Sequence, residues 1–278
     1  MIQVSVIIPS FNRAHTLPRA LDSVRKQTLP AAEIIVVDDG SSDGSAALLK
    51  QDYPEVQLIS QPNKGVSAAR NSALQIARSD WIALLDSDDE WFPHKLATIA
   101  QAQQQNPQTL VFHSDEIWIR NGRRVNPMKK HAKRGGMIFD HCLPLCVISP
   151  SAVVIHRAVF EHIGRFDETL PACEDYDLWL RLCHLYSVGY IEQPLIQKYG
   201  GHEDQLSSQY WGMDRFRIRA LHRLMNLPTL SQQQQQATRQ MLIKKLRILL
   251  KGAYKHSNGE VIAEFEPMLN AYLDTPLC

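Results

Sequence analysis

No stretch of this sequence is both long and apolar enough to suggest a membrane span, which takes ~20 consecutive apolar residues. The amino terminus, MIQVSVIIPSFN, lacks the basic n-region, extended apolar h-region and small-residue cleavage site of a secretory leader, so it reads as a first strand. Cysteine is sparse. Five residues, at 142, 146, 173, 183 and 278, form no dense or evenly paired framework, and free thiols in a reducing compartment are the simpler reading. His141, Cys142, Cys146 and His156 match no common zinc-finger spacing. An excess of charge is missing too: 30 basic residues oppose 29 acidic ones, leaving +1. No global field draws in a polyanion, so no nucleic acid is expected as a partner. Neither G-x-G-x-x-G nor G-x-x-x-x-G-K-S/T occurs, which disfavours dinucleotide and P-loop binding. Together these absences predict a cytoplasmic protein, with peripheral contact at the inner face of the membrane left open.

What is present is an alternation. The hydrophobic fraction, 44%, suffices for a sizeable core. Val4 to Ile8 is a short apolar run stopped by Pro9, and Leu17, Ala20, Leu21 and Val24 follow at helical spacing. Ile34 to Val37 runs into the turn DDGSSDG, and Ala46, Ala47 and Leu48 begin the next helix. Val56 to Ile59, Trp81 to Leu85 and Thr109 to Phe112 read as three more strands, separated by the small-residue helix VSAARNSALQIA and by His94 to Gln105. Continuous apolar strands alternating with helices predict an α/β fold: a mainly parallel, Rossmann-like sheet with helices on both faces. Ligands gather at the carboxyl ends of such strands, where SFN, DDGSSD and DSDD all fall. After position 115 the pattern weakens. RRVNPMKKHAKRGG is basic and irregular, Ser151 to Ile155 and Val188 to Ile191 read as strands, and Asp175 to Leu182 as a helix. From about Trp211 only helical periodicity remains, which predicts a C-terminal helical appendage over 209–278, with SQQQQQ at its middle as a solvated helix.

Asp86-Ser87-Asp88-Asp89 directly follows an apolar strand. Carboxylates this close repel unless a proton, a cation or a basic partner lies between them. Mg²⁺ and Mn²⁺ take oxygen ligands and share them with phosphate, while a solvated helix-capping loop explains the turn equally well. An EF-hand is excluded, because Trp91 takes its glycine position and Ala97 its bidentate glutamate. VVDDGSSDGS places a carboxylate where it can accept hydrogen bonds from a base or ribose, with Asp43 as N-cap of the next helix. In CEDYDLWLRL, Glu174, Asp175 and Asp177 sit at a helix start. Composition alone favours complementing the helix dipole there, with a general base as the other reading.

VSVIIPSFNRAHTLPRALDSVRKQT, IIVVDDGSSDGS, NKGVSAARNSAL, WIALLDSDDEW, GRFDETL, CEDYDLWLRL and a later glycine-histidine turn occur in this order. Together they resemble family-2 glycosyltransferases, inverting enzymes of the GT-A fold. The resemblance implies a GT-A catalytic domain over 1–208, with a nucleotide-binding half at 1–114 and an acceptor-binding half at 115–208. It places Pro9 and Phe11 at the nucleotide pocket, Asp39 against the base (usually uracil), and Arg70 reaching towards the nucleotide. Asp86 matches the first carboxylate of the D-x-D motif, near the ribose and donor sugar. Asp88 matches the second, which binds Mn²⁺ or Mg²⁺ on the diphosphate, and His202 lies near that metal or the leaving group. Asp175 falls where the family has its catalytic base. The implied function is transfer from a nucleotide diphosphate donor, most often a UDP-sugar, to a glycan or lipid-linked acceptor in cell-surface polysaccharide assembly.

Within 115–148, Arg124, Lys129, Lys130, Lys133 and Arg134 suggest an acceptor loop for an anionic acceptor, or else a solvated flexible loop. KKLRILLKGAYK at 244–255 could lie on a membrane, although packing on the catalytic domain explains its leucine face more simply. A sugar nucleotidyltransferase would want a glycine-rich basic loop after the first strand, which SFNRAH is not. A catalytically silent nucleotide-sugar binding module would be marked by loss of Asp88 or Asp175, and both are present.

Overall fold

The structure, a computed structural model, describes residues 2–126, 128–201 and 210–274. The first apolar runs become four parallel strands, β1 (Val4–Ser10), β2 (Glu33–Asp38), β3 (Gln57–Ser60) and β4 (Trp81–Leu84), in spatial order 3-2-1-4. They are joined by α1 (Leu17–Arg25), α2 (Ser45–Asp52) and α3 (Val66–Ile76). Successive strand residues face opposite ways. Val4, Val6 and Ile8 of β1 therefore pack with Leu17 and Leu21 of α1 on one face, while Ile7 packs with Ala69 and Ala73 of α3 on the other. The small residues of α3 let that helix close on the sheet, and each fully buried Leu or Ile contributes about 1.5–3 kcal/mol relative to exposure.

Past β4 the sheet continues through β8 (Val153–His156), β6 (Val111–Arg120), β9 (Gly189–Gly200) and β5 (Glu90–Trp91), with β7 (Arg123–Val125) paired to β6. β8 runs antiparallel to β4 and β6, and β5 antiparallel to β9, but β6 and β9 are parallel, so the sheet is mainly parallel. α4 (Lys95–Gln105) covers one face, and α5 (Phe139–Cys142), α6 (Arg157–Ile163) and α7 (Glu174–Cys183) the other.

β6 and β9 are longer than the apolar runs at Thr109–Phe112 and Val188–Ile191 suggest. Their continuations carry polar residues, His113, Ser114, Glu116 and Lys198, which find partners inside the fold. Lys133 pairs with Glu116 at 3.0 Å with both side chains buried, and Lys198 Nζ donates to Ser149 Oγ at 3.1 Å. A hydrophobicity criterion ends such strands too early. Register shifts between Ser114 and Ile117 re-aim the outer part of β6.

The carboxyl-terminal part folds as α8 (Asp214–Met225), α9 (Gln232–Lys255) and α10 (Gly259–Asp274). The glutamine run forms the first turn of α9 behind a reciprocal capping box of Ser231 and Gln234. Leu242, Leu246 and Leu250 point inward and share one core with Ile218, Leu221, Phe265 and Trp179 of α7. Among the described residues, no helix is long and apolar enough to cross a membrane.

Candidate active site

The candidate residues meet at the rim formed by the carboxyl ends of β1, β2 and β4. Pro9 is buried at the carboxyl end of β1, and Phe11 just beyond the strand is 45% exposed. Asn12 takes a left-handed backbone (φ 53°), which asparagine tolerates better than most residues. Its N–H donates to Ser41 Oγ at 2.8 Å, and its Oδ1 accepts from Ser42 N at 2.9 Å. The loops after β1 and β2 are thereby locked together.

Asp39 is buried between that lock and the start of α3. Its carboxylate accepts from Gln61 Nε2 at 2.7 Å, Lys64 N at 3.0 Å and Gly65 N at 2.8 Å. These bonds pin the positive end of α3 to β2. A carboxylate has about four acceptor sites, so one more donor, such as a base N–H, can still be accommodated.

Arg70 is 3% exposed and bridges two carboxylates, donating from Nη2 to Asp86 at 2.7 Å and from Nη1 to Glu174 at 2.7 Å. Burial alone would lower the guanidinium's pKa, but the two anions outweigh it and hold the charge firmly in place. Glu174 moves the other way: burial and the neighbouring Asp175 push it up to about 7 against the pull of Arg70. The bridge fastens the DSDD turn to the amino end of α7.

The three carboxylates of the acidic turn divide by environment. Asp89 is buried, accepting from Ser151 Oγ at 2.5 Å and from Tyr199 N at 2.9 Å. Burial and the adjacent Asp88 push it well above the ordinary carboxylate range. Asp86 is part-exposed on Arg70, and Ser151 Oγ accepts its backbone N–H at 3.0 Å. Asp88 is the other part-exposed carboxylate, and its backbone carbonyl accepts from Arg19, whose guanidinium stacks on the Tyr199 ring at 3.6 Å.

Asp175 is part-exposed at the start of α7. Its Oδ1 accepts from Tyr176 N at 2.7 Å, and its Oδ2 lies 3.2 Å from the Cys146 thiol, whose one proton it shares with the Ile148 carbonyl, also at 3.2 Å. Burial and the Asp175 charge push the Cys146 pKa up, so the sulfur stays protonated and donates. Lys198 stands behind the acidic turn. Burial would lower its pKa, but Glu116, Asp89 and Asp86 hold it charged.

His202 lies outside the described residues. Among the described residues, no three His, Cys, Asp or Glu side chains converge as a ready-made metal cage. One part-exposed carboxylate completed by phosphate oxygens and water is nevertheless a donor set that Mg²⁺ accepts, and Asp88 is placed to be that carboxylate. The sequence placed Asp89 in the acidic turn and Glu174 at the helix start without revealing their partners, and it carried no signal for Lys198 or for Cys146 beside Asp175. The basic segment also changes character: Lys133 is not a solvated loop charge but is 4% exposed on Glu116. A groove of about 550 Å³ between Gln101 and Tyr190 opens at the amino ends of β6 and β9, on the opposite rim, and holds none of these residues.

A family model described as glycosyl transferase family 2 matches residues 5–164. The chain belongs to this family. An Escherichia coli relative, the UDP-Glc:alpha-D-GlcNAc-diphosphoundecaprenol beta-1,3-glucosyltransferase WfgD, is 33% identical over 184 residues, covering 64% of this chain and 69% of that one. An uncharacterized glycosyltransferase of Rickettsia bellii is 28% identical over 74% of this chain, but the match spans only 31% of the relative's own length. Among solved structures, Staphylococcus aureus TarS 1–349 in complex with UDP-GlcNAc superposes with a TM-score of 0.70 at 20% identity, over 88% of this chain and 72% of that one. The mannosyltransferase PcManGT from Pyrobaculum calidifontis, in complex with GDP-Man and Mn²⁺, gives 0.59 at 17% identity, over 98% and 85%. These likenesses establish the GT-A fold for this family-2 chain.

Proposed function

We propose that this family-2 chain transfers a sugar, with inversion, from a nucleotide diphosphate donor, a UDP-sugar, to a hydroxyl of a glycan or lipid-linked acceptor. The observation that carries the reading is the Asp86–Arg70–Glu174 bridge, which joins the DSDD turn and the start of α7 on one rim. Donor-side and acceptor-side carboxylates are thus held by a single buried guanidinium. Residues 1–114 serve as the nucleotide half and 115–208 as the acceptor half, with 209–278 as a helical appendage. Phe11 offers an exposed ring to the base, and Asp39 offers its remaining acceptor site to a base N–H. When bound, Mn²⁺ or Mg²⁺ held by Asp88, with His202 as a further candidate ligand, supplies positive charge against the departing diphosphate. Asp175 takes the proton of the acceptor hydroxyl as its oxygen attacks the anomeric carbon. Tyr176 N and the Cys146 thiol fix the rotamer of that carboxylate. The bond to the nucleoside diphosphate breaks in the same displacement, so the anomeric configuration inverts.

The activity of the E. coli relative, from UDP-Glc to a GlcNAc-diphosphoundecaprenol, supports a UDP-sugar donor and a lipid-linked acceptor, and we place the reaction in cell-surface polysaccharide assembly. The test is thermal unfolding with UDP, GDP, dTDP and CMP, each with and without Mn²⁺. Saturation at a hundred times the dissociation constant stabilises by about 2.7 kcal/mol, a melting rise of several degrees at this size. We expect a rise with UDP that needs Mn²⁺ and is lost in Asp88→Asn. Asp175→Asn should keep that rise and lose transfer. No rise with any nucleotide would overturn the donor assignment, and near-normal turnover by Asp175→Asn would remove Asp175 as the base.

A further inference from the structure

The leucine face of α9 is spent on the core, which leaves its opposite face to be explained. Lys244, Ile248, Lys251 and Lys255 follow one another at spacings of four, three and four, so they form a single stripe along the helix. All four are exposed, and Ile248 is 58% exposed. Among the described residues, none of the three lysines is paired with a carboxylate, whereas Lys245 on the adjoining face is buried on Asp214 at 3.0 Å. Two acidic side chains of α10 are engaged elsewhere: Glu264 pairs with Arg219, and Glu266 with the Tyr254 hydroxyl.

Beside this stripe stands Trp211, 56% exposed. It is not loose: the Arg215 guanidinium lies 4.0 Å from its ring and donates to its carbonyl at 3.0 Å. Between Trp211 and Ile248 runs a mostly apolar groove of about 530 Å³, whose lining includes Met213, Leu249, Gly252 and Ala253. Backbone at one end of the groove touches the segment that leads into α7. The Met213 carbonyl accepts from the Cys173 thiol at 3.8 Å, and Cys173 lies two residues before Asp175.

We infer that this face docks on an anionic phospholipid bilayer, with Trp211 and Ile248 entering the head-group boundary and the three lysines lying over lipid phosphates. Exposed apolar side chains flanked by cations suit such a surface. A second copy of the chain is a poorer occupant, because a two-fold interface would set the lysine stripe against itself. The inference rests on the proposed reaction only for its consequence, that a lipid-linked acceptor reaches Asp175 from the bilayer side.

The test is co-sedimentation of the full chain with vesicles of phosphatidylcholine alone and of phosphatidylcholine mixed with phosphatidylglycerol. We expect binding to the mixed vesicles only, weakened by salt. A lysine near an anionic surface is worth about fivefold in affinity, so Lys244→Gln/Lys251→Gln/Lys255→Gln should bind about a hundredfold more weakly. Trp211→Ser/Ile248→Ser should lose binding as well. Every substituted side chain is exposed, and an unchanged melting temperature checks that the variants fold. Failure of the wild type to bind mixed vesicles, or equal binding by the variants, overturns the inference. So does a concentration-dependent dimer that Trp211→Ser/Ile248→Ser disperses, which would make a second copy the occupant. The outcome is independent of the donor assignment: UDP-induced stabilisation without vesicle binding removes only the docking surface, and vesicle binding without any nucleotide response removes only the donor assignment.

Discussion

Replacing Arg70 with methionine keeps the bulk of the side chain and removes the guanidinium between Asp86 and Glu174. Taking one partner from a buried ion pair costs about 3–5 kcal/mol, because the remaining charge is stranded. Here the cost divides unequally. Asp86, with a side chain 28% exposed, recovers part of its hydration, while Glu174 at 6% cannot. Glu174 can escape only by taking up a proton, which burial and Asp175 already favour, placing its pKa at about 7 against an ordinary 4.5. A carboxyl whose folded value is raised contributes stability that is fully present below the unfolded value, about 4.5, and lost as pH climbs through the folded one. Without Arg70 the folded value rises further. The deficit of Arg70→Met should therefore be small near pH 5 and grow by about 1.4 kcal/mol for each pH unit above the wild-type folded value. For a chain of this size each kcal/mol is a fall of about 2 °C in melting temperature. Adding Glu174→Gln removes the stranded charge and should recover most of the loss at pH 8 while changing little at pH 5. Urea unfolding of the wild type, both single variants and the double variant at the two pH values measures the cycle. A deficit under about 1 kcal/mol at pH 8, well below the range for a broken buried pair, or one that does not vary with pH, would refute the argument that Arg70 is the cation holding these carboxylates together.

Three further outcomes follow from single contacts. Cys146→Ala should lower kcat about tenfold, the cost of one lost hydrogen bond to a charged group, without changing donor KM. Cys146→Ser should restore the rate, and full kcat in the alanine variant would remove the thiol as a positioning group for Asp175. Phe11→Ala should weaken UDP binding about tenfold if its exposed ring stacks on the base, since stacking is worth about 1–3 kcal/mol; isothermal titration with equal affinities would place the base elsewhere. Lys95 is fully buried, donates to the Ala152 carbonyl at 3.0 Å, and is pushed down to about 7 from 10.5 by burial and by the nearby Lys133. The unfolded chain binds that proton more tightly. Relative to Lys95→Met, the wild type should be most stable above pH 10.5 and lose ground as pH falls towards 7, and parallel stability curves for the two proteins would contradict this.

The half of the molecule from β1 to β4 was legible in the sequence because its signals are local: an apolar run, a stop, a helical stripe, and a polar cluster at each strand end. The same locality explains what was not legible. DSDD announces an acidic turn, yet nothing in those four letters says that Asp89 turns inward to Ser151 and Tyr199 while Asp86 turns to Arg70. Those choices depend on partners that the chain brings back from 62, 110 and 16 residues away. Glu174 and Arg70 are 104 residues apart, so helix-dipole reasoning could explain why an acid stands at the start of α7 but not which cation it needs. Lys133 makes the point most clearly. Within KKHAKR it looks like one more solvated charge, and Lys129 and Lys130 do remain exposed. But β6 carries Glu116 into the interior, and burying that carboxylate unpaired would cost several kcal/mol. Lys133 and Lys198 together outweigh the burial and hold Glu116 at about 2. The basic segment therefore supplies the counter-charge that lets a polar strand run behind the acidic turn, and in the proposed reaction only its remainder is free to meet an acceptor.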